Sequence, residues 1–174
     1  MIRVIAIYLA LAVAMPAGAQ ETDNHDMTLS RALEIILALD PAAEPSGSGI
    51  ELTIEDVPVL VFFDVVADPM RAMVPIRSAE DMGEDDHRRV MQANFDTALD
   101  ARYAIAQGKL WGVFIHPLSP LRRDELISGV GQTVNLALSY GTAFSGGALA
   151  FGGGDSLPLQ RELIDRLLEK GQDI

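Results

Sequence analysis

Apolar residues recur along this chain at two different spacings, and the switches between them mark its elements. From Thr28, "TLSRALEIILALD" sets Leu29, Leu33, Ile36 and Leu37 at helical spacing, with Thr28 as a fitting N-cap. Pro41 restricts the residue before it, so this first helix stops near Asp40. "PAAEPSGSG" follows and reads as a linker by composition, with two Pro, two Gly and no periodicity. Three extended stretches come next, Ile50–Ile54, Val57–Ala67 and Met70–Arg77, rich in Val, Ile and Phe. Asp56 and the Asp68-Pro69 pair punctuate them, which predicts short reversals and antiparallel pairing. In the middle stretch both alternating sets are apolar: Val57, Val59, Val61 and Phe63 against Leu60, Phe62 and Val66. A strand with one solvated face would alternate with polar residues, so this one is expected to be covered on both sides.

"DMGEDDHRRVMQANFDTAL" predicts a second helix. Asp81 and Glu84 have the spacing of a capping box, and the acidic first turn (Glu84, Asp85, Asp86) suits the positive end of the helix dipole. Its apolar stripe is Val90, Met91, Phe95 and Ala98. "RYAIA" and "LWGVFIH" are then two strands joined at Gln107-Gly108-Lys109, where Gly108 supplies the positive φ of a tight hairpin. Leu110, Gly112 and Phe114 face one way; Trp111, Val113 and Ile115 face the other, and again neither set is polar. Ser119-Pro120 is expected to open a third helix, buried along Leu126, Ile127, Val130, Val134, Ala137 and Leu138. After Gly141 the chain is Gly-rich, and it ends in a short amphipathic segment, Leu159–Leu168.

The order α-β-β-β-α-β-β-α predicts an α+β domain over residues 20–145, a mostly antiparallel sheet of about five strands packed with three helices. Residues 146–174 form a Gly-rich tail with a short C-terminal helix. Two strands that are apolar on both faces present more apolar surface than one helix layer covers. Part of the sheet or the second helix is therefore expected to lie against a partner, most simply a second copy. Phe62, Val90, Met91, Phe95, Trp111 and Phe114 are the candidates for that partner or dimer surface.

The first residues follow a different logic. Arg3, an apolar run from Val4 to Met15, Pro16 and the small triplet Ala17-Gly18-Ala19 have the layout of a secretory signal peptide over residues 1–19, cleaved before Gln20. Export to the periplasm of a Gram-negative bacterium, or secretion, is the expectation. No stable membrane insertion is expected after cleavage, because Asp64 interrupts the best remaining apolar run. Loss of Arg3 leaves 12 basic against 25 acidic residues, a net charge of -13. That charge argues against nucleic acid and anionic lipid surfaces and for a protein or cationic partner, a hydrophobic, basic polypeptide client or an envelope protein. The absence of cysteine excludes disulfides and thiolate metal sites.

Candidate chemistry is sparse. His25, His87 and His116 form no H-E-x-x-H or paired-ligand spacing, so no metal is expected. His87 beside Asp85 and Asp86 reads better as a solvated helix turn than as a ligand set. His116 ends a strand, where a base could sit, but no nucleophile motif accompanies it. "AFSGGA" and "PSGSGI" lack the G-x-S-x-G spacing. Gly152 to Gly154 lead to Asp155 and not to the Lys that a phosphate-binding loop needs. Asp64, the one carboxylate in an apolar setting, fits a strand edge or bulge better than a perturbed acid. No catalytic residue and no cofactor is expected.

One resemblance bears on fold. "ANFDTALDARYAIAQGKLWGVFIHPLSPLRRDELISGVGQTVNLALSYG" resembles the Tir-chaperone (class I type III secretion chaperone) and YbjN families. The likeness rests on Asn94-Phe95 late in the second helix, the strand Arg102–Ala106, Gly108 in the turn, His116-Pro117-Leu118, and the helix up to Gly141-Thr142. The element order from Thr28 to Gly141 agrees with it. The resemblance implies a small, acidic, usually dimeric protein without catalysis, holding a segment of another polypeptide along its sheet and helices. Those chaperones work in the cytoplasm, whereas this N-terminus is that of an exported chain. The expected function is thus an exported, non-enzymatic chaperone-like or adaptor protein and a homodimer. The alternatives are a periplasmic small-molecule or lipid binder and a subunit of an envelope complex.

Overall fold

The computed structural model describes residues 26–96, 99–140 and 156–173. The signal-like N-terminus, His25, Ala98 and the Gly-rich stretch through Asp155 lie outside the described residues. The elements run α1 (Leu29–Leu39), β1 (Glu44–Ser46), β2 (Gly49–Ile54), β3 (Val57–Phe63), β4 (Pro69–Ser78), α2 (Glu84–Asp96), β5 (Arg102–Ala106), β6 (Lys109–Pro117), α3 (Arg123–Leu138) and α4 (Ser156–Lys170). The strands make one antiparallel sheet of order β1-β2-β3-β4-β6-β5. The α+β class and the element order expected from the sequence are what the chain adopts, with one strand more.

That strand is β1, in the stretch read as a linker. Gly47, at φ +61, turns the chain so that Ser46 pairs with Gly49 and Glu44 with Glu51. Pro45 is tolerated because β1 is the border strand and its outer side needs no donor. Two further hairpins use two-residue turns with positive φ at both positions: Glu55-Asp56 (49° and 62°) and Gln107-Gly108 (51° and 70°).

The caps differ from the expected ones at two helices. Thr28 does cap α1, its hydroxyl accepting from Arg31 N at 3.2 Å. For α2 the Asp81–Glu84 box is not made; the Asp86 carboxylate accepts from Gly83 N instead, at 3.1 Å. For α3, Ser119 is drawn away by Asp68, whose carboxylate accepts both its N–H (2.9 Å) and its hydroxyl (2.8 Å). The helix begins four residues later, with Glu125 accepting from Arg122 N at 2.9 Å.

Helix α3 is the centre of the core. It lies on β3, β4, β5 and β6, with α4 packed on it and α1 against both helices. Sequence parity decides which strand residues meet it. Gly112 passes beneath Thr133 and Leu136, and the Phe114 ring fills the space beside Gly129, where a Cβ would stand 2.4 Å from a ring carbon. Gly131 does the same for α4, facing Ile164 at 3.0 Å and Leu167 at 3.2 Å. Helix α1 buries Ala32, Ile35, Ile36 and Leu39, whereas Leu29 and Leu37 of the expected stripe are exposed. The helix is apolar nearly all round, so more than one stripe satisfies the period and packing selects between them.

Candidate protein-binding surface

The helix layer of α1, α3 and α4 occupies one face of the sheet, the face of Leu52, Val59, Val61, Ala72, Val74, Gly112 and Phe114. The registers fix what the other face carries, because side chains one position along a strand point to the opposite side. Across the strands, Phe62 stands beside Arg71 and Arg71 beside Ile115. In the next row Leu60, Met73, Val113 and Arg102 follow one another. Beyond that, Pro75, Trp111 and Ala104 are neighbours, and Lys109 pairs with Ala106. Leu60, Phe62, Met73 and Val113 are half-buried, and Ile115 is 56% exposed. This is an apolar sheet face outside the helix layer.

The six candidate residues divide among three environments. Phe62 and Trp111 lie on the outer face; Trp111 is buried there, its Nε1 donating to Ala106 O at 3.0 Å. Met91 and Phe95 are 66% and 72% exposed on α2, and Leu99, beyond the helix, is 53% exposed. Val90 and Phe114 belong to the chain's own core, which leaves them little to offer a partner. The parity of β6 had separated Trp111 from Phe114, but it cannot say which of the two faces the helices take. The residues missed on the outer face are Met73, Arg71, Arg102 and Lys109. Their signal was the same two-residue period, read in β4 and β5 as well as in β6.

Helix α2 runs along the outer edge of β5. Asn94 Oδ1 accepts from Tyr103 N at 2.7 Å and Asn94 Nδ2 donates to Tyr103 O at 3.0 Å, so a side-chain amide stands where a further strand would pair. Gln132 of α3 holds the entry to β5, its Oε1 accepting from Asp100 N (2.8 Å) and Ala101 N (3.0 Å). The Tyr103 hydroxyl donates to Leu136 O at 2.9 Å, and burial keeps that phenol protonated well above its usual range.

The titratable groups serve structure. Backbone donors from Thr53 and Ala42 hold the Asp40 carboxyl below the usual range. Asp64 is lowered in the same way by Ala67 N and Val66 N, closing the β3–β4 turn. It is a turn-closing carboxylate and not a raised acid. The Arg122 guanidinium lowers Glu125. His87 Nδ1 lies 2.7 Å from Gly83 O, and His116 stacks on Phe114 with Nδ1 2.7 Å from Pro117 O. Among the described residues no group of three His, Asp or Glu side chains is placed to hold a metal ion. An open hollow of about 610 Å³ adjoins the end of β6, lined by Asp100, Arg102, Ile115, His116, Asp124 and Ser128 among others.

With this geometry in place, the likeness to solved proteins is one of fold. A chain of the ExsC–ExsE complex superposes with a TM-score of 0.51 at 13% identity, covering 71% of this chain and 99% of that one. A chain of the HopA1–SchA chaperone–effector complex gives 0.47 at 7% identity, covering 64% and 95%. No family model matches the sequence, and no curated protein matches it. The chain has the α+β fold of a chain of the ExsC–ExsE complex.

Proposed function

We propose that this chain is an exported, non-enzymatic protein that binds polypeptide in a chaperone-like or adaptor role and rests as a homodimer. The observation that carries the reading is the sheet face outside the helix layer, where Leu60, Phe62, Met73, Val113 and Ile115 form one apolar surface. Apolar surface left partly open in this way, outside the chain's own core, marks interaction sites on stable proteins. The fold shared with a chain of the ExsC–ExsE complex supports the same reading. Within it, the chain is a relative of the Tir-chaperone and YbjN families that works outside the cytoplasm. The signal-like pattern of Arg3, the run to Met15 and Ala17-Gly18-Ala19 supports export to the periplasm or beyond. Self-association is assigned to α2, where Met91 and Phe95, four residues apart on the helix, form an exposed ridge.

The test is a crosslinked pull-down of the tagged chain from the envelope fraction of its own host, with the eluate identified by mass spectrometry. A specific polypeptide at near-stoichiometric yield is expected. Self-crosslinks alone would remove the client and leave the dimer. The hollow beside β6 favours a second reading, a small-molecule binder, which a ligand carried through purification and seen by native mass spectrometry would establish.

A further inference from the structure

The outer sheet face is basic, on a chain whose net charge is -12. Arg71, Arg102 and Lys109 all project from the β4-β6-β5 half of it, and no acidic residue shares that half. All three are exposed. Arg71 sits between Phe62 and Ile115 in its row, and Arg102 ends the row of Leu60, Met73 and Val113. The Lys109 ammonium stands 5.8 Å from the centre of the Trp111 ring. Among the described residues, the Arg102 guanidinium donates only to carbonyls of its own strand entry, Leu99 O and Ala101 O. None of the three is ion-paired with a described residue, although arginines elsewhere pair with Glu34, Glu84, Asp85, Glu125, Asp124, Glu162 and Glu55. The acidic residues of this face, Glu44 and Glu51, are at its far border on β1 and β2.

From this we infer that the face docks an apolar polypeptide segment bearing carboxylates, an acidic amphipathic stretch of the client. The inference rests on the polypeptide-binding reading above and specifies what that site selects. Apolar side chains of the segment pack on Phe62, Met73, Val113 and Ile115. Its carboxylates meet Arg71, Arg102 and Lys109, which form no ion pair with a described residue, so no such pair has to break first. Arginine suits this task because its planar fork takes a carboxylate bidentately and its stem lies on apolar surface. The overall charge of the chain would predict a basic client, and the local field reverses that choice. Symmetric pairing of this face with a second copy would bring like charges together, an arrangement that is destabilising when they lie directly opposite. The strongly negative remainder of the molecule disfavours long polyanions and anionic bilayers at the same place.

Two synthetic peptides with the same alternating apolar residues, one with Glu and one with Lys at the intervening positions, provide the test on the purified chain. Trp111, the only tryptophan, reports from this face by fluorescence. The Glu peptide is expected to bind roughly ten-fold tighter at low salt, with the gap closing as salt screens the exposed charges. Arg71→Glu combined with Arg102→Glu is expected to reverse the preference. Lys109→Glu alone, a single exposed change, is expected to weaken Glu-peptide binding if the double variant fails to fold. Equal or tighter binding of the Lys peptide overturns the inference, as does a preference indifferent to charge reversal. So does a Trp111 response to phosphatidylglycerol vesicles and to neither peptide, or a response that tracks protein concentration alone. If the pull-down captures a client while both peptides leave Trp111 unmoved, the inference falls and the protein-binding reading stands.

Discussion

The Phe114 ring occupies the space that a side chain at position 129 would need. Gly129→Ala is therefore expected to destabilise the fold by about 1–3 kcal/mol, as overpacking does, seen as a lower denaturant midpoint with an unchanged slope. A second position tests charge instead of volume. Asp40 accepts from Thr53 N at 2.8 Å and Ala42 N at 2.9 Å, and these donors hold its carboxyl below the usual carboxylate range. A depressed carboxylate contributes stability that is present above its unfolded pKa and is lost as pH falls through the folded one. Asp40→Ala should then cost roughly 1 kcal/mol at neutral pH, in view of its exposure. Chemical melts should show the difference shrinking as pH drops below about 4. The first of these roles was hidden in the sequence for one reason. Spacing shows that Phe114 and Trp111 oppose each other, but only the position of α3 decides which of them meets the helix.

Among the elements, the hairpins were legible and the caps were not. Gln107-Gly108 announced its turn through glycine, yet Gln107 also sits at φ 51°, where glutamine is strained and asparagine is not. Gln107→Asn is expected to raise stability by a few tenths to about 1 kcal/mol, measured by thermal melting. Caps compete with tertiary partners: Ser119 had the right spacing for α3 but is held by Asp68, a residue 51 positions away in sequence. Strand β1 escaped because Pro and Gly read alike in a linker and in a border hairpin. Helix α4 was expected from Leu159 and extends from Ser156 to Lys170, burying Leu163 and Leu167 against the body. Leu167→Ala should cost about 2–5 kcal/mol and expose α4 to limited proteolysis.

For the whole molecule, the pattern of apolar positions conveyed that the sheet had more apolar surface than its helices cover. It did not convey how that surface is divided. The α2 ridge and the sheet face come from separate stretches of sequence, and only the registers place Arg71 beside Ile115 or Arg102 beside Val113. Because Met91 and Phe95 are exposed, Met91→Asp with Phe95→Asp is expected to leave the fold intact and to turn the proposed homodimer into a monomer in sedimentation equilibrium. The same double change should leave peptide binding at the sheet face within about two-fold, since distant sites act independently.

The amide of Asn94 has a consequence for how this protein survives with so much strand surface on show. A sheet that holds apolar segments is at risk of becoming a template on which further chains add side by side and grow into fibres. Here one margin ends in Asn94 against Tyr103 and the other in three residues that include Pro45. Neither margin offers a long open ladder. A guest of the proposed kind is left with broadside packing against side chains, a contact that saturates after one layer and gives a growing fibre no edge to extend.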